Sequence, residues 1–366
     1  MDLEKFYKQF LSAFQQECEK ILEDACSLPN NQLYHYTSFS NFQRIINNQI
    51  LCFRDYRHLN DPTEILLSSN ILKELIEEKI KKSVHPFWKE FSDIFYSVLD
   101  KEEFDKIKDR FIQIELIENN IYTFSLCSAV DSLPLWRWYG GNGVGISIGF
   151  RSEYFQPITD NELIEDNKKP RAACLKINYE KEYFVSIITR LLEIVEENLL
   201  LLMSFCEQNS VHFEDFLLKK GKFLAESVSC FLPLMPGFKH HGYKEEQEYR
   251  LYYMQNKITY KVECNREPDY FPYEIPGEYK KTRGLNIKEV SPEIASCLIS
   301  LNSTKINYVE HHFLLDDIAE IWIGPCLDFE CTKEQIIKIL KYAEYDVNKI
   351  DTKAGIKIKK SEVPYR

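Results

Sequence analysis

The sequence predicts an α+β fold: an antiparallel sheet interrupted by helical insertions. Three observations carry that expectation. Long stretches repeat apolar residues at helical spacing, short alternating or apolar runs lie between them, and the two kinds do not follow one another as strand–helix–strand units. The chain has 366 residues, 44% hydrophobic and 14% aromatic, enough for a sizeable packed core and unlike a disordered chain.

In chain order, residues 2–27 read as an amphipathic helix, with Phe6, Phe10, Phe14, Ile21 and Leu22 on one face. Pro29, Asn30 and Asn31 break it. Leu33 to Thr37 alternates as a strand, and Ser40 with Gln43 has the spacing of a capping box opening a short helix. Leu51 to Arg54 is a second strand. Asp61-Pro62-Thr63-Glu64 is a helix start, with Asp61 as N-cap and Pro62 at the first helical position. It opens a helical stretch over about 62–118, broken near His85-Pro86. Ile121 to Cys127 is a buried strand, and Leu133 to Tyr139 a short aromatic helix or turn. Gly140-Gly141-Asn142-Gly143 turns into a strand from Val144 to Phe150. Ala172 to Tyr179 is a strand, 182–231 a helical insert ended by Pro233, Pro236 and Gly237, and Tyr249 to Met254 a strand. Residues 255–300 look irregular. Ile318 to Ile323, Thr332 to Tyr345 and Ile356 to Ile358 are a strand, a helix and a last short strand. The expected organisation is an N-terminal helix over 1–29 and a single domain over 30–366.

Composition narrows the class of partner. Forty-six basic against 57 acidic residues give a net charge of −11, which disfavours tight nonspecific binding to nucleic acid or an anionic membrane. The eleven cysteines are scattered, with no CxxC or Cys/His zinc spacing, and read as reduced, mostly buried thiols. Residues 1–26 are charged throughout, and the longest apolar run, Leu199 to Met203, is too short to span a bilayer. A soluble, cytoplasmic protein without a membrane partner is the expectation.

The strongest chemical signal is Glu246-Gln247-Glu248-Tyr249-Arg250. On a strand, Glu246, Glu248 and Arg250 share one face. Neighbouring carboxylates repel, so their proton affinities separate. Such a pair suits a centre where one acid stabilises a cation and the other handles a nucleophile's proton. A solvated face neutralised by Lys244 and Arg250 is the plainer account of the same spacing. His35 and Thr37 share a strand face, with Tyr34 and Tyr36 opposite. His35 could donate to a sugar hydroxyl and Tyr36 stack on a planar ring, or the histidine could be an ordinary core residue. Thr123 and Ser125 place two hydroxyls on one side of an apolar strand, where they need partners. Arg54 or Arg57 could pair with a phosphate. Trp136, Tyr139 and four glycines in positions 140–145 form a glycine-rich turn that leads into a strand, unlike a P-loop. The pairs His240-His241 and His311-His312, with Asp316 and Asp317, are weak metal candidates, since adjacent histidines rarely ligate the same ion without further ligands, and no metal site is expected.

The run Leu33-Tyr34-His35-Tyr36-Thr37-Ser38, then Leu59-Asn60-Asp61-Pro62-Thr63-Glu64, Phe124-Ser125-Leu126, Leu135-Trp136 with Tyr139 and Gly145, Tyr243-x-x-Glu246-x-Glu248-Tyr249-Arg250 and the closing Val363-Pro364-Tyr365-Arg366 resembles a bacterial family catalogued as domain of unknown function 2971. The likeness runs from about residue 30 to the C-terminus. A His-Tyr strand, a later Ser-bearing strand and a late Glu-x-Glu are also similar to ADP-ribosyltransferases, with His35 standing where an Arg accompanies Glu-x-Glu in one group of them. That resemblance implies a split antiparallel β-sandwich with NAD as substrate in its cleft. It implies transfer of ADP-ribose to a macromolecular acceptor, foremost a protein and alternatively a nucleic acid, in a toxin, effector or defence setting. By position, Glu248 would stabilise the cationic ribosyl centre, Ser125 would brace it, and Glu246 would orient the nucleophile. His35, Tyr36, Thr37, Arg54, Trp136, Tyr139 and Arg250 would contact NAD. An NAD glycohydrolase and a non-catalytic nucleotide-sensing or protein-interaction module are the alternatives.

Overall fold

The computed structural model describes residues 3–25, 31–55, 63–83, 86–99, 117–155, 173–212, 222–258, 285–289 and 307–365. Their elements are α1 (Leu3–Ala25), β1 (Leu33–Thr37), α2 (Phe39–Asn48), β2 (Ile50–Asp55), α3 (Thr63–Lys82), α4 (Phe87–Leu99), β3 (Ile117–Cys127), α5 (Leu133–Trp138), β4 (Ile146–Phe150), β5 (Ala173–Lys176), α6 (Lys181–Gln208), α7 (Lys222–Ser229), β6 (Glu248–Ile258), β7 (Leu285–Glu289), β8 (Asn307–His312), β9 (Ile318–Ile323), α8 (Phe329–Tyr342) and β10 (Lys357–Lys360). The α+β expectation holds. All ten described strands belong to one connected sheet, antiparallel except where β10 runs parallel to β9.

That sheet forks at β3. One edge of β3 is paired with β6 along its whole length, and β5 continues beyond β6. The other edge is shared. β1 pairs near its end, Tyr34 with Cys127, and leads on to β4, β9 and β10. β2 pairs further back, Arg54 with Thr123, and leads on to β8 and β7. A strand's main chain must satisfy its polar groups on both edges. In the fork, the imidazole of His35 does so for β3, with Nδ1 3.1 Å from the Ser125 carbonyl oxygen.

The two faces of the sheet serve different cores. Leu33, Phe53, Tyr122, Phe124, Leu126, Ile148, Leu251 and Ile321 point to one face and are buried beneath Phe42 and Ile46 of α2 and Ile336 and Leu340 of α8. The opposite face is covered in two places. Over β1, Tyr34, Tyr36 and Cys127 pack against Leu135 and fully buried Trp136 of α5. Over β5 and β6 lies a helical unit built from α1, α3, α4, α6, α7 and the 3-10 turn Leu232–Gly237. The N-terminal helix and both helical inserts thus share one aromatic-rich core, which includes Phe14, Phe91, Phe223 and Phe231. The turn at 232–237 seats that unit on the sheet, and a side chain on Gly237 would meet Leu175 of β5 at 2.9 Å.

Several element boundaries move. Ser38 rather than Ser40 caps α2, its side chain accepting from Asn41 N at 3.3 Å. Ser38 is one residue before the helix, so its oxygen reaches the third helical N–H. Residues 117–118 start β3 instead of ending a helix, β7 at 285–289 is a strand inside the stretch that looked irregular, and β8 at 307–312 is a further strand. The predicted N-cap Asp61 and the cation Arg57 lie outside the described residues.

One glycine in the 140–145 turn is demanded by packing. A Cβ on Gly145 would lie 2.3 Å from Thr37 O and 2.7 Å from Gly140 O, both backbone atoms. Gly145→Ala is therefore expected to destabilise the fold by about 1–3 kcal/mol or more, read as a lower midpoint in chemical denaturation. An unchanged midpoint would contradict the packing of this turn on β1.

Candidate functional site

Glu246 and Glu248 do not stand side by side on a strand. Glu246 ends a 3-10 turn (His241–Glu246), Gln247 takes a left-handed conformation with φ 44, and β6 begins at Glu248. A non-glycine residue in that region is uncommon. It is held here because Ser128 N donates to Gln247 O at 3.0 Å and Ser128 Oγ reaches Gln247 Oε1 at 3.1 Å. The kink, not strand alternation, brings the two carboxylates together.

They meet over one ammonium. Lys239 Nζ donates to Glu246 Oε2 at 2.6 Å and to Glu248 Oε2 at 3.2 Å. Arg250 grips Glu248 with two bonds, Nε to Oε1 at 2.7 Å and Nη2 to Oε2 at 3.0 Å, and its Nη1 donates to Pro236 O at 3.0 Å. Tyr139 donates its hydroxyl to Glu246 Oε1 at 2.7 Å, and the Tyr179 hydroxyl accepts from Glu248 N at 2.9 Å. The Tyr243 ring lies 4.7 Å from Lys239 Nζ. Lys239, Glu246, Glu248 and Arg250 are all buried, with Arg250 at 2% exposure and both glutamates at 4%. Two anions against two cations make a neutral set, the condition under which buried charge is tolerated.

Burial alone would raise the Glu248 carboxyl. Arg250 and Lys239, aided by hydrogen bonds from Arg250 and Ser125, outweigh it and hold the group down to about 2. Burial and the neighbouring Glu246 push the Tyr139 phenol up, so it stays a donor. His35 goes the other way for a base: burial and Arg54 outweigh its bond to Ser125 and push it down to about 4, leaving it neutral at pH 7.

Of the residues singled out by sequence, Glu246, Glu248, Arg250, Tyr139 and Ser125 come together. Ser125 is opposite Arg250 across the β3–β6 ladder, so both share the Glu248 face; Ser125 is exposed where the carboxylates are not. Arg54, half-buried, sits on this same face through its pairing with Thr123. His35 does not join them. It alternates with Tyr34 and Tyr36, leaves β1 on the Leu33 face, and lies against Phe124 with ring centroids 4.5 Å apart. Thr37 shares that alternation and is buried. Tyr36 is occupied internally: its hydroxyl donates to Ala129 O at 3.1 Å and accepts from Ser132 N at 3.0 Å. Trp136 is fully buried and donates Nε1 to Asp131 at 2.8 Å. Arg250 is spent on Glu248 and Pro236, so its part is that of a counter-ion. Sequence reading missed Lys239 and Tyr179. The signal for Lys239 was present in the proline- and glycine-bounded segment just before Glu246, but a lysine beside His240-His241 looks like surface until the chain folds back. Among the described residues, no cluster of three or more His, Cys, Asp or Glu could hold a metal ion, and no helix is long and apolar enough to cross a membrane.

Residues 135–251 match the family described as a protein of unknown function (DUF2971). The match spans Trp136, Tyr139, Gly145, Lys239 and the whole Glu246–Arg250 segment, so it covers most of the buried charge network and the turn that feeds it. No curated protein and no solved structure matches the chain.

Two outcomes test the network. With a folded value of about 2 against an ordinary 4.5, Glu248 contributes stability that is fully present above pH 4.5 and lost as pH falls through 2. Glu248→Gln should be less stable than the parent at pH 7, with the gap closing towards pH 2 in denaturant melts. A pH-independent gap would mean that the ion pair is not the cause. Arg250→Met alone leaves buried Glu248 short of its main partner and should cost about 3–5 kcal/mol. The Arg250→Met/Glu248→Leu double variant should cost less than the sum of the singles, as a double-mutant cycle on unfolding free energies measures.

Proposed function

We propose that this chain is an NAD-dependent ADP-ribosyltransferase-like enzyme whose reaction is centred on Glu248 and which transfers ADP-ribose to a macromolecular acceptor. The observation that carries the reading is a buried carboxylate gripped by Arg250 and Lys239, with an exposed serine, Ser125, on the same sheet face beside it. The site lies where a helical unit meets a sheet, a place where ligand sites recur.

In this reading the bond between nicotinamide and ribose breaks with its electron pair leaving on nicotinamide. Glu248 stabilises the positive charge that develops on the ribose, and Ser125 keeps its carboxylate oriented. Glu246, 4% exposed, meets the acceptor through the Tyr139 hydroxyl it already holds, and the nucleophile's proton passes towards that pair. Arg54 faces the dinucleotide's phosphates. Trp136, Tyr36 and Arg250 serve as scaffold, and neutral His35 holds the fork of the sheet open behind Ser125. The acceptor is foremost a protein, since a net charge of −11 opposes a polyanion.

One observation favours a second reading. Lys239 and Arg250 together neutralise both carboxylates, which weakens the field Glu248 can direct at a cation and suits a nucleotide-sensing module without turnover. Incubating the purified chain with NAD labelled in the adenylate half, alone and with candidate acceptors, separates the readings. Label on an acceptor, lost in Glu248→Gln and reduced at least about tenfold in Tyr139→Phe, supports the transferase. Nicotinamide release without labelled acceptor points to a glycohydrolase, and binding without turnover to the sensor. Absence of NAD binding in calorimetry sinks all three.

A further inference from the structure

The helical unit contains a feature that neither the fold nor the charge network uses. Side chains of α1 and α7 meet at successive points. The Tyr7 hydroxyl accepts from Phe223 N at 2.9 Å, Phe14 meets the Phe223 ring edge-on at 5.1 Å, and Gln15 Nε2 donates to Glu226 Oε2 at 2.8 Å. One turn further along, Cys18 follows Gln15 on α1 and Cys230 follows Glu226 just past α7, so helical spacing brings the two cysteines to the same end of this seam, where the Cys18 thiol pushes that of Cys230 up. Cys230 also donates to Glu226 O at 3.3 Å, a bond that fixes where its sulfur points. Cys18 is 1% exposed and Cys230 is half-buried.

We propose that Cys18 and Cys230 are a redox-sensitive staple: an oxidant of the peroxide class joins them as a disulfide that locks α1 onto the helical unit. The step balances as two thiols and one hydrogen peroxide giving one disulfide and two waters. Cys230, the solvent-reachable member, attacks the peroxide oxygen, gives up its proton and becomes a sulfenic acid as the first water leaves. The Cys18 sulfur then attacks the Cys230 sulfur, and its proton departs with the sulfenic oxygen as the second water. The pair passes two electrons to the oxidant. The Cys18 contact, burial and the nearby Glu226 and Glu19 push the Cys230 thiol up, so the staple closes slowly and responds to sustained oxidation. Closure ties together segments far apart in sequence, which restricts the unfolded chain most.

The test uses the full chain with Cys326 and Cys331, the exposed thiols among the described residues, replaced by serine to limit links between molecules. It is treated with hydrogen peroxide for minutes to hours, alkylated under denaturing conditions and mapped without reductant. The expected product is a peptide pair joined through Cys18 and Cys230, released by dithiothreitol, with a melting temperature about 5 °C above the reduced form. Cys18→Ser should abolish both and leave Cys230 as a sulfenic acid trappable by dimedone. Recovery of both residues as alkylated thiols after hours in peroxide, Cys18 or Cys230 joined to a different cysteine, or a linked form that melts no higher than the reduced one would each overturn the proposal.

Discussion

The structure turns on the grip of Arg250 on Glu248. Arg250 reaches in two directions at once, to a carboxylate of its own strand and to the Pro236 carbonyl of the turn that carries the helical unit. It is one of the largest fully buried side chains among the described residues. A guanidinium in that position must be paired on every side, because leaving it short of partners costs far more than an ordinary lost hydrogen bond. Seating the helices on the sheet and assembling the carboxylate pair are therefore coupled. If the turn at 232–237 drew away, Arg250 would lose a partner, Glu248 would lose part of its compensation, and Lys239, two residues beyond the turn, would leave both acids.

This coupling explains the kink at Gln247. A regular strand through 246–248 would set the two glutamates on one face but leave Glu246 beyond the sheet's edge. The left-handed residue swings Glu246 back under Lys239 and towards the Tyr139 hydroxyl. Its strain, on the order of 1–2 kcal/mol, is offset by the Ser128 contacts and by the charge-assisted bonds it allows. α5 reaches the site through the same logic. Asp131 accepts from Trp136 Nε1, from Ser361 Oγ at 2.5 Å and from Glu362 N at 2.7 Å. The tail after β10 thus steadies the helix whose next residue, Tyr139, touches Glu246.

Legibility in the sequence followed range. Where a signal is local, it was readable: the alternation of β1, the apolar periodicity of α1 and α6, and the glycine-rich entry to β4. Glu246, Glu248 and Ser125 were readable as candidates because polar residues at strand spacing in an apolar chain are conspicuous. Features that depend on tertiary contact were hidden. Lys239 is a surface residue by every local measure and becomes a buried cation only through the turn that follows the helical unit. His35 looked like a ligand-facing residue because a strand has two faces and sequence does not say which one a site occupies. The fork in the sheet decided that, since the ring lies against Phe124 and bonds the Ser125 main-chain oxygen. Trp136, Tyr36 and Arg250 looked available for the same reason, and all three are committed to internal partners.

What remains exposed around the network has a consistent character. The carboxylates and their counter-ions are inside, whereas Ser125, Tyr139 and Tyr243 stand at the surface directly above them. Anything that approaches meets a hydroxyl, a phenol and an aromatic ring, and feels the buried charges through those groups. Neutralisation by Lys239 and Arg250 sets how strongly. With both cations engaged, the set presents little net field; drawing Lys239 away from Glu246 would leave that carboxylate without its cation in a low-dielectric setting, where its influence on a nearby cation is greatest, while Glu248 keeps both bonds from Arg250. The ammonium that bridges Glu246 and Glu248 therefore governs the charge of Glu246 more than that of Glu248, which Arg250 holds as well.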